Sequence, residues 1–423
     1  MTIYQGKLGR LRGIKETTFG TDATTAGGIS SFFEIPFIEG SDTLNLIRPV
    51  ETPGHAQQRI DGYPEGVLMP KSATLEIAVN IETPTTKAAS TVSATHGWLS
   101  GLLEIAFGAV HQSTGTTFSS GWNTVTGDGG TVTTIRPGSA IAWVNTSGLM
   151  ECREVKSKTG STLVSKLAFS GSPANTNVMY GCTTVYCSPR ATGVASSLQL
   201  VFEGWNTEHR WSLLGGWLES ITLACAPGTI PRVTLRFAFA NHLRADGSDI
   251  VYDSTGDVLG ASTYLNTNTV VVMDSEYRVP TVGTNTLSGT LYHPNEITWE
   301  WPGLVYEPVK TPAGIQTVLG AVRVHSPPLC RGSFTLPYEN SQEWFTARNS
   351  KTAKAQFYQI GSALAVGAVL ISCPRTQIVD VQAVPVGGVQ NQRVTWVSRL
   401  DSDTTAESSY EALAEAAGRI HLF

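Results

Sequence analysis

The stretch RGSFTLPYENSQEWFTARNSKTAKAQFYQIG runs from Arg331 to Gly361 and reads as strand, helix, strand. Phe334 and Leu336 alternate with polar neighbours, the period-two pattern of a strand with one buried face. Asn340 followed by Glu343 forms a capping-box-like helix start, in which each side chain satisfies an orphan backbone N–H. Trp344, Phe345 and Arg348 follow at helical spacing. Arg348, Lys351 and Lys354 gather toward the helix end, where cations suit the helix dipole. No catalytic motif lies in this unit or beside it.

Outward from this unit, the plan recurs. TQIVDVQAVPVGGVQNQRVTWVSRL (376–400) is a hairpin pattern with Gly387 and Gly388 at the turn. Earlier, ATLEIAVNIE (73–82) puts Leu75, Ile77, Val79 and Ile81 on one face and Thr74, Glu76, Ala78, Asn80 and Glu82 on the other. HGWLSGLLEIAFGAV (96–110) carries Leu99, Leu102, Leu103 and Ala106 on one helical stripe, with Gly108 as a stop. LESITLACAPGTIPRVTLRFAFA (218–240) is a second hairpin, turning at Pro227 and Gly228. The returning strands share RVTL (232–235) and RVTW (393–396). A short helix fits SSYEALAEAAG (408–418), with Gly418 ending it. Each half thus offers an amphipathic strand, a helix and a hairpin, the signature of an internally duplicated, mainly β (α+β) sandwich unit.

This reading divides the chain into an N-terminal arm (1–29), a first sandwich half (30–111 and 191–241), an inserted small all-β domain (112–190), a long connecting loop (242–275) and a second half (276–423). The insert is rich in Gly, Thr and Ser, with strands expected in GTVTTIRPG, SAIAWVN, MECREVKSKTG and STLVSKLAFS and turn signals about every ten residues.

Composition narrows the function classes. Only 15% of the 423 residues are charged, against a usual ~25%. A surface filled instead by Ser, Thr, Gly and Asn suits a protein that buries much of its outside in an assembly. A net charge of −5 argues against a nucleic-acid clamp, which needs a basic face. MTIYQGKLGRLRG at the start has no apolar core of a secretory signal, and GSALAVGAVLIS is too short to span a bilayer. Six cysteines at these spacings read as reduced and structural, and point to the cytosol. There is no G-x-S-x-G elbow, P-loop or H-E-x-x-H, and TGDGG (126–130) reads as a turn. No enzyme, cofactor or metal site is expected.

Several blocks together resemble the tail tube proteins (major tail proteins, siphophage-like) of tailed bacteriophages. They are GIKETTFGTDATT (13–25), GWLSGLLEIAFG (97–108), LLGGWLESITLACAPGTIPRVTLRFAFAN (213–241), the 331–361 stretch, VLISCPRTQIVDVQAV (369–384) and the closing GRIHLF (418–423). The resemblance covers most of the chain, with the 112–190 insert the least matched. It implies rings whose strands join across subunits into one closed β-barrel, leaving no sheet edge free, and rings stacked into a virion tube, assembled in the host cytoplasm, that conducts the DNA genome. A neutral or acidic lining lets the duplex slide. The lumen candidates are Glu76, Asn80, Glu82, Asp380 and Gln382, with Val379, Val381 and Ala383 on the opposite face. Glu219 and Glu300 are weaker candidates. Two halves per chain imply a trimeric, pseudo-sixfold ring, with a hexamer as the alternative. Contacts between subunits or rings are assigned to Lys15, Glu16, Asp246, Asp249, Arg348, Lys351 and Lys354. Implied partners are further copies, the tape measure protein, the tail terminator and distal tail or baseplate proteins, with double-stranded DNA passing without specific binding and no membrane. Alternatives are another virion component (a tail terminator, decoration protein or injection-device tube) and a carbohydrate-binding β-sandwich prompted by ten tryptophans, although Trp299, Trp301 and Trp396 fall in strands and read as core.

Overall fold

The computed structural model describes residues 8–423 apart from 17–18, 21–32, 39, 48–49, 52–66, 69–71, 85–97, 108, 119–125, 129–131, 133, 175–176, 188–196, 205–209, 245–266, 270–274, 283–289, 302–303, 311–317, 326–329, 339–341 and 387. The chain is mainly β, and one strand order occurs in two places. The first array comprises β1 (Leu8–Lys15), β2 (Thr43–Ile47), β3 (Ser72–Asn80), helix α1 (Trp98–Phe107), β4 (Leu198–Gly204), β5 (Arg210–Cys225) and β6 (Arg232–Arg244). Its strands pair antiparallel in the order β1-β4-β5-β6-β3-β2. The second comprises β7 (Glu276–Arg278), β8 (Glu296–Trp301), β9 (Arg331–Pro337), α2 (Glu343–Asn349), β10 (Ala353–Ile360), β11 (Val369–Val386) and β12 (Val389–Ser398). It pairs in the order β7-β10-β11-β12-β9-β8. β8 also pairs with β5, which makes the two arrays one sheet.

Alternation sets the two faces. Along β3, Ala73, Leu75, Ile77 and Val79 are buried while Glu76 is exposed, as the period-two pattern requires. Each hairpin turns on a glycine with positive φ, Gly228 at +74° and Gly388 at +80°, a region that costs other residues steric strain. Each long strand also carries a bulge. The register slips between Leu218 and Ser220 where β5 faces β6, and between Ile378 and Asp380 where β11 faces β12. A bulge of this kind places Val379, expected on the dry face, at 43% exposure, while Ile378 is buried.

The dry face and both helices close over one core. It contains Leu102 and Leu103 of α1, Trp344 of α2, and Leu75, Leu235, Trp299, Trp301, Phe334 and Trp396 of the strands. Gly332 on β9 lets Trp396 lie against the strand, since a Cβ there would sit 2.4 Å from the indole ring and 2.4 Å from the Thr298 carbonyl oxygen. Gly332→Ala is expected to cost about 1–3 kcal/mol through this overpacking, read as a lower urea midpoint at unchanged slope.

The decisive 331–361 stretch folds as strand, helix, strand, with two corrections. Helix α2 starts at Glu343 behind Gln342, with no side-chain cap bond, and Asn340 lies outside the described residues. Glu343 instead accepts hydrogen bonds from Lys354 Nζ and the Tyr292 hydroxyl, both at 2.9 Å. Lys354 is therefore not an exposed helix-end cation. The chain turns at Lys351 (φ +55°), which puts Lys354 on β10 at 7% exposure, its ammonium 5.8 Å from the Trp344 ring. The last expected helix is short, Glu411–Ala414, and Gly418 begins a strand, β13 (Gly418–Leu422), rather than ending a helix. Arg419 of β13 donates to the Leu413 and Ala414 carbonyls and so satisfies that helix end.

Within 112–190, a separate six-stranded sheet forms from Thr116–Thr117, Thr126–Asp128, Ala140–Val144, Met150–Thr159, Thr162–Ser165 and Val178–Tyr180. The 126–128 segment is thus a strand, not the expected turn, and Pro137 and Gly138 of GTVTTIRPG lie in a turn. Ile141, Trp143, Val155 and Phe169 bury one face, and Ala140, Ala142, Met150 and Cys152 pack on Phe357, Leu370 and Phe423. Thr183–Cys187 leaves this sheet and pairs with β13. Leu8–Lys15, in the expected arm, pairs with β4. Of the 242–275 segment, Thr267–Thr269 pairs with Glu82–Pro84, and Asp246 and Asp249 lie outside the described residues.

The insert is fixed to the second array by a buried ionic cluster. Arg419 reaches Glu154 at 2.7 Å and Asp401 at 3.0 Å, and Lys166 reaches Asp401 at 2.6 Å and Glu154 at 3.3 Å. Ser372 donates to Glu154, and His421 lies 3.5 Å from the same carboxylate while bonding Thr184 at 2.9 Å. None of the five ionisable side chains is more than 4% exposed.

Candidate assembly surface

The wet face of the run β2-β3-β6-β5-β8-β9-β12-β11 is a continuous polar surface of eight paired strands. It is laid out by alternation: Arg232, Thr234 and Arg236 stand opposite in parity to the buried Val233, Leu235 and Phe237. Glu76 and Asn80 lie on it, with Glu76 directly across from Arg236. Asp380 and Gln382 lie on it at the far end, where Asp380 accepts bonds from Gln382 Nε2 at 2.6 Å and the Val381 amide at 2.8 Å.

Arginines are interleaved with these acids. Arg236 Nε is 2.9 Å from Glu219, Arg331 holds Glu300 with two bonds of 2.9 and 2.6 Å, and Arg393 is 3.6 Å from Glu296. The surface is thus polar with charges of both signs, three of its arginines paired with acids, rather than uniformly acidic. The four arginines and Glu296 were missed in the sequence reading, although each sits at an every-second position of its strand. Exposed pairs of this kind are worth about 0–1 kcal/mol each, so they set the surface potential more than the stability.

The other described site residues, Glu82, Glu16, Lys15, Arg348, Lys351 and the buried Lys354, lie elsewhere. Glu82 sits beyond the end of β3, where its carboxylate accepts the Trp98 indole N–H at 3.1 Å, so it serves α1. Glu16 is buried at 6% exposure, taking the Gly20 amide at 2.9 Å, the Gly215 amide at 2.8 Å and the Ser197 hydroxyl. It braces β1 and β5 and offers no surface to a neighbour. Lys15 is exposed but pairs with Glu104 of α1 at 3.3 Å. Arg348 lies 5.5 Å from the Phe345 ring and Lys351 is exposed, so these two remain at the surface at the end of α2.

A cavity of about 410 Å³ lies at one end of β8 between Cys225, Tyr277, Tyr292, His293 and Tyr358. Burial pushes the Cys225 thiol up to about 12 and holds the Tyr358 hydroxyl well above its usual value, so neither is an ionised nucleophile near neutral pH. All six cysteines are buried and unbridged. Among the described residues no three His, Cys, Asp or Glu side chains converge as metal ligands would. Trp299, Trp301 and Trp396 are at most 1% exposed and cannot stack on a sugar. No helix among the described residues is long and apolar enough to cross a membrane. No protein-family model matches the chain, and no curated protein matches it.

Proposed function

We propose that this chain is a structural subunit of a bacteriophage tail tube, in which rings stack into a hollow conduit for the DNA genome. The observation that carries this reading is the continuous antiparallel run of eight strands, dry on one face and wet on the other, made from two arrays of one strand order. The arrays are read as a duplicated tube unit, each with its helix on the dry side. Placed in a ring, the dry face meets the core and helices, and the wet face lines the lumen.

Three copies at eight strands each supply 24 strands. With strands about 4.8 Å apart and tilted about 40°, such a barrel closes at about 48 Å between backbones. Closure also removes the sheet edges that would otherwise recruit strands without limit. A trimeric pseudo-sixfold ring is favoured over a hexamer because each chain holds two arrays. The interleaved Arg and Glu side chains give a lining that neither grips nor strongly repels phosphate, since three of the cations, Arg236, Arg331 and Arg393, lie beside carboxylates. Tape measure, terminator and distal tail proteins are the partners such a tube requires.

Negative-stain microscopy of the purified protein, alone and with tail-initiation proteins, tests the reading. Long hollow filaments are the expected result. Compact monomers under both conditions would overturn it, and assembly that stops at one ring would favour a terminator.

A further inference from the structure

Among the described residues, two edges of the eight-strand run carry no further strand. From Ile378 to Val386, β11 pairs only with β12 among the described residues, and β2 pairs only with β3. We infer that these two edges are halves of one interface, so that β11 of one copy pairs antiparallel with β2 of a second copy in the register that β5 and β8 use inside the chain. The inference rests on the ring-forming reading above and adds to it the identity and register of the joint.

The internal joint supplies the template. There Ile221 faces Trp301, Thr222 faces Glu300, Leu223 faces Trp299 and Ala224 faces Thr298. β5 and β11 are placed in correspondence by two independent register slips. The pairs Leu198–Gly216 and Leu200–Leu213 bracket a slip in the first array, and Lys354–Thr376 and Gln356–Cys373 bracket one in the second. The bulges at 218–220 and 378–380 give the same correspondence, so Ile221 corresponds to Val381 and Thr222 to Gln382. Following the ladders β6-β3-β2 and β12-β9-β8 outward from those bulges matches Thr43 with Thr298, Leu44 with Trp299, Asn45 with Glu300 and Leu46 with Trp301. Carried across, the template sets Val381 opposite Leu46, Gln382 opposite Asn45, Ala383 opposite Leu44 and Val384 opposite Thr43.

Burial and chemistry fit this register. At the internal joint Ile221, Leu223, Trp299 and Trp301 are at most 2% exposed. Their counterparts are less covered: Val381 is 7% exposed, Leu44 and Leu46 are half-buried and Ala383 is exposed. Such a deficit is what one half of a dry seam shows before its partner arrives. On the wet side the register opposes Gln382 to Asn45 and Val384 to Thr43, with no like charges facing each other. Within the segment this register pairs, Val381 to Val384, the β11 edge carries no lysine or proline, and Pro385 follows directly beyond it.

Cysteine pairing tests the register. Asn45→Cys with Gln382→Cys, and separately Thr43→Cys with Val384→Cys, place thiols opposite each other on the wet face. The six native cysteines are buried. Mild oxidation, or bridging with a short bismaleimide, is expected to give a ladder of covalent multimers for both pairs. Asn45→Cys with Val384→Cys, which is out of register, should link at least tenfold less. Tubes that form normally but link in neither in-register pair, or link better in the shifted pair, would overturn this joint while leaving the tube reading intact. A ladder without tubes would support the joint and overturn the tube. Unlinked monomers of both in-register variants, each checked for a native urea transition, would overturn both.

Discussion

Arg419→Met is expected to lower stability by about 3–5 kcal/mol, because it strands two carboxylates, Glu154 and Asp401, in the interior. Burial alone would push Glu154 up, but Arg419 and then Lys166 outweigh it and hold its carboxyl well below the usual range. Burial likewise raises Asp401, and Lys166 and Arg419 bring it below its ordinary value. For His421 burial is the largest influence and lowers its pKa, with the Glu154 hydrogen bond opposing only in part. These three shifts act in one direction as acid is added. The two lowered carboxyls contribute stability that is complete above about pH 4–5 and is lost as pH falls through their folded values. His421, also lowered, takes up its proton more readily in the unfolded chain, so stability begins to fall below about pH 6.5. Urea midpoints should therefore be flat above pH 7, decline from pH 6.5 and drop steeply below pH 4.5. In Arg419→Met the whole curve should be lower and its acid limb shallower, since the carboxyls have lost the cation that depressed them. A variant within about 1 kcal/mol of wild type with an unchanged acid limb would show that the cluster is not the clamp between insert and second array.

Trp299→Ala is the other large expected effect, about 3–5 kcal/mol. Trp299 is fully buried on β8, the strand that joins the two arrays, with ring centroids 5.2 Å from Trp396 and 6.0 Å from Trp301. Its indole N–H has no hydrogen-bond partner among the described residues, so the loss is one of packing and cavity formation. Trp299→Phe should therefore recover more than half of the loss by refilling volume, which hydrogen-bond loss would not allow. Because β8 is shared, a single urea transition monitored by tryptophan fluorescence and by far-UV circular dichroism should move as one. Transitions that separate in Trp299→Ala would mean that the arrays unfold independently once the joint is weakened.

Alternation along the chain separates wet from dry positions where no bulge intervenes, as along β3, but not around the 378–380 bulge, where Val379 and Ala383, expected dry, are exposed. Leu75, Ile77 and Val79 are assigned to the interior by this pattern, and period two makes that assignment insensitive to the strand's partner. The sequence also locates β3, α1 and the two hairpins, the latter because Gly228 and Gly388 carry local backbone demands, but not the strands at Leu8–Lys15, Thr126–Asp128 and Gly418–Leu422. Tertiary structure decided the rest. The RVTL and RVTW match falls on corresponding strands and on the correct faces, but the bulges place it two residues out of register: Arg393 corresponds to Thr234, not to Arg232. A shift of two keeps every face, so nothing local could reveal it. Glu154 sits in a segment rich in charged residues, MECREVKSK, and Lys354 follows a helix like a capping cation. Both become buried because a second layer, the C-terminal strand in one case and Trp344 with Glu343 in the other, covers them. Which edge pairs with which depends on groups more than a hundred residues apart, as with β3 and β6, and is settled only when the common core brings them to the same place.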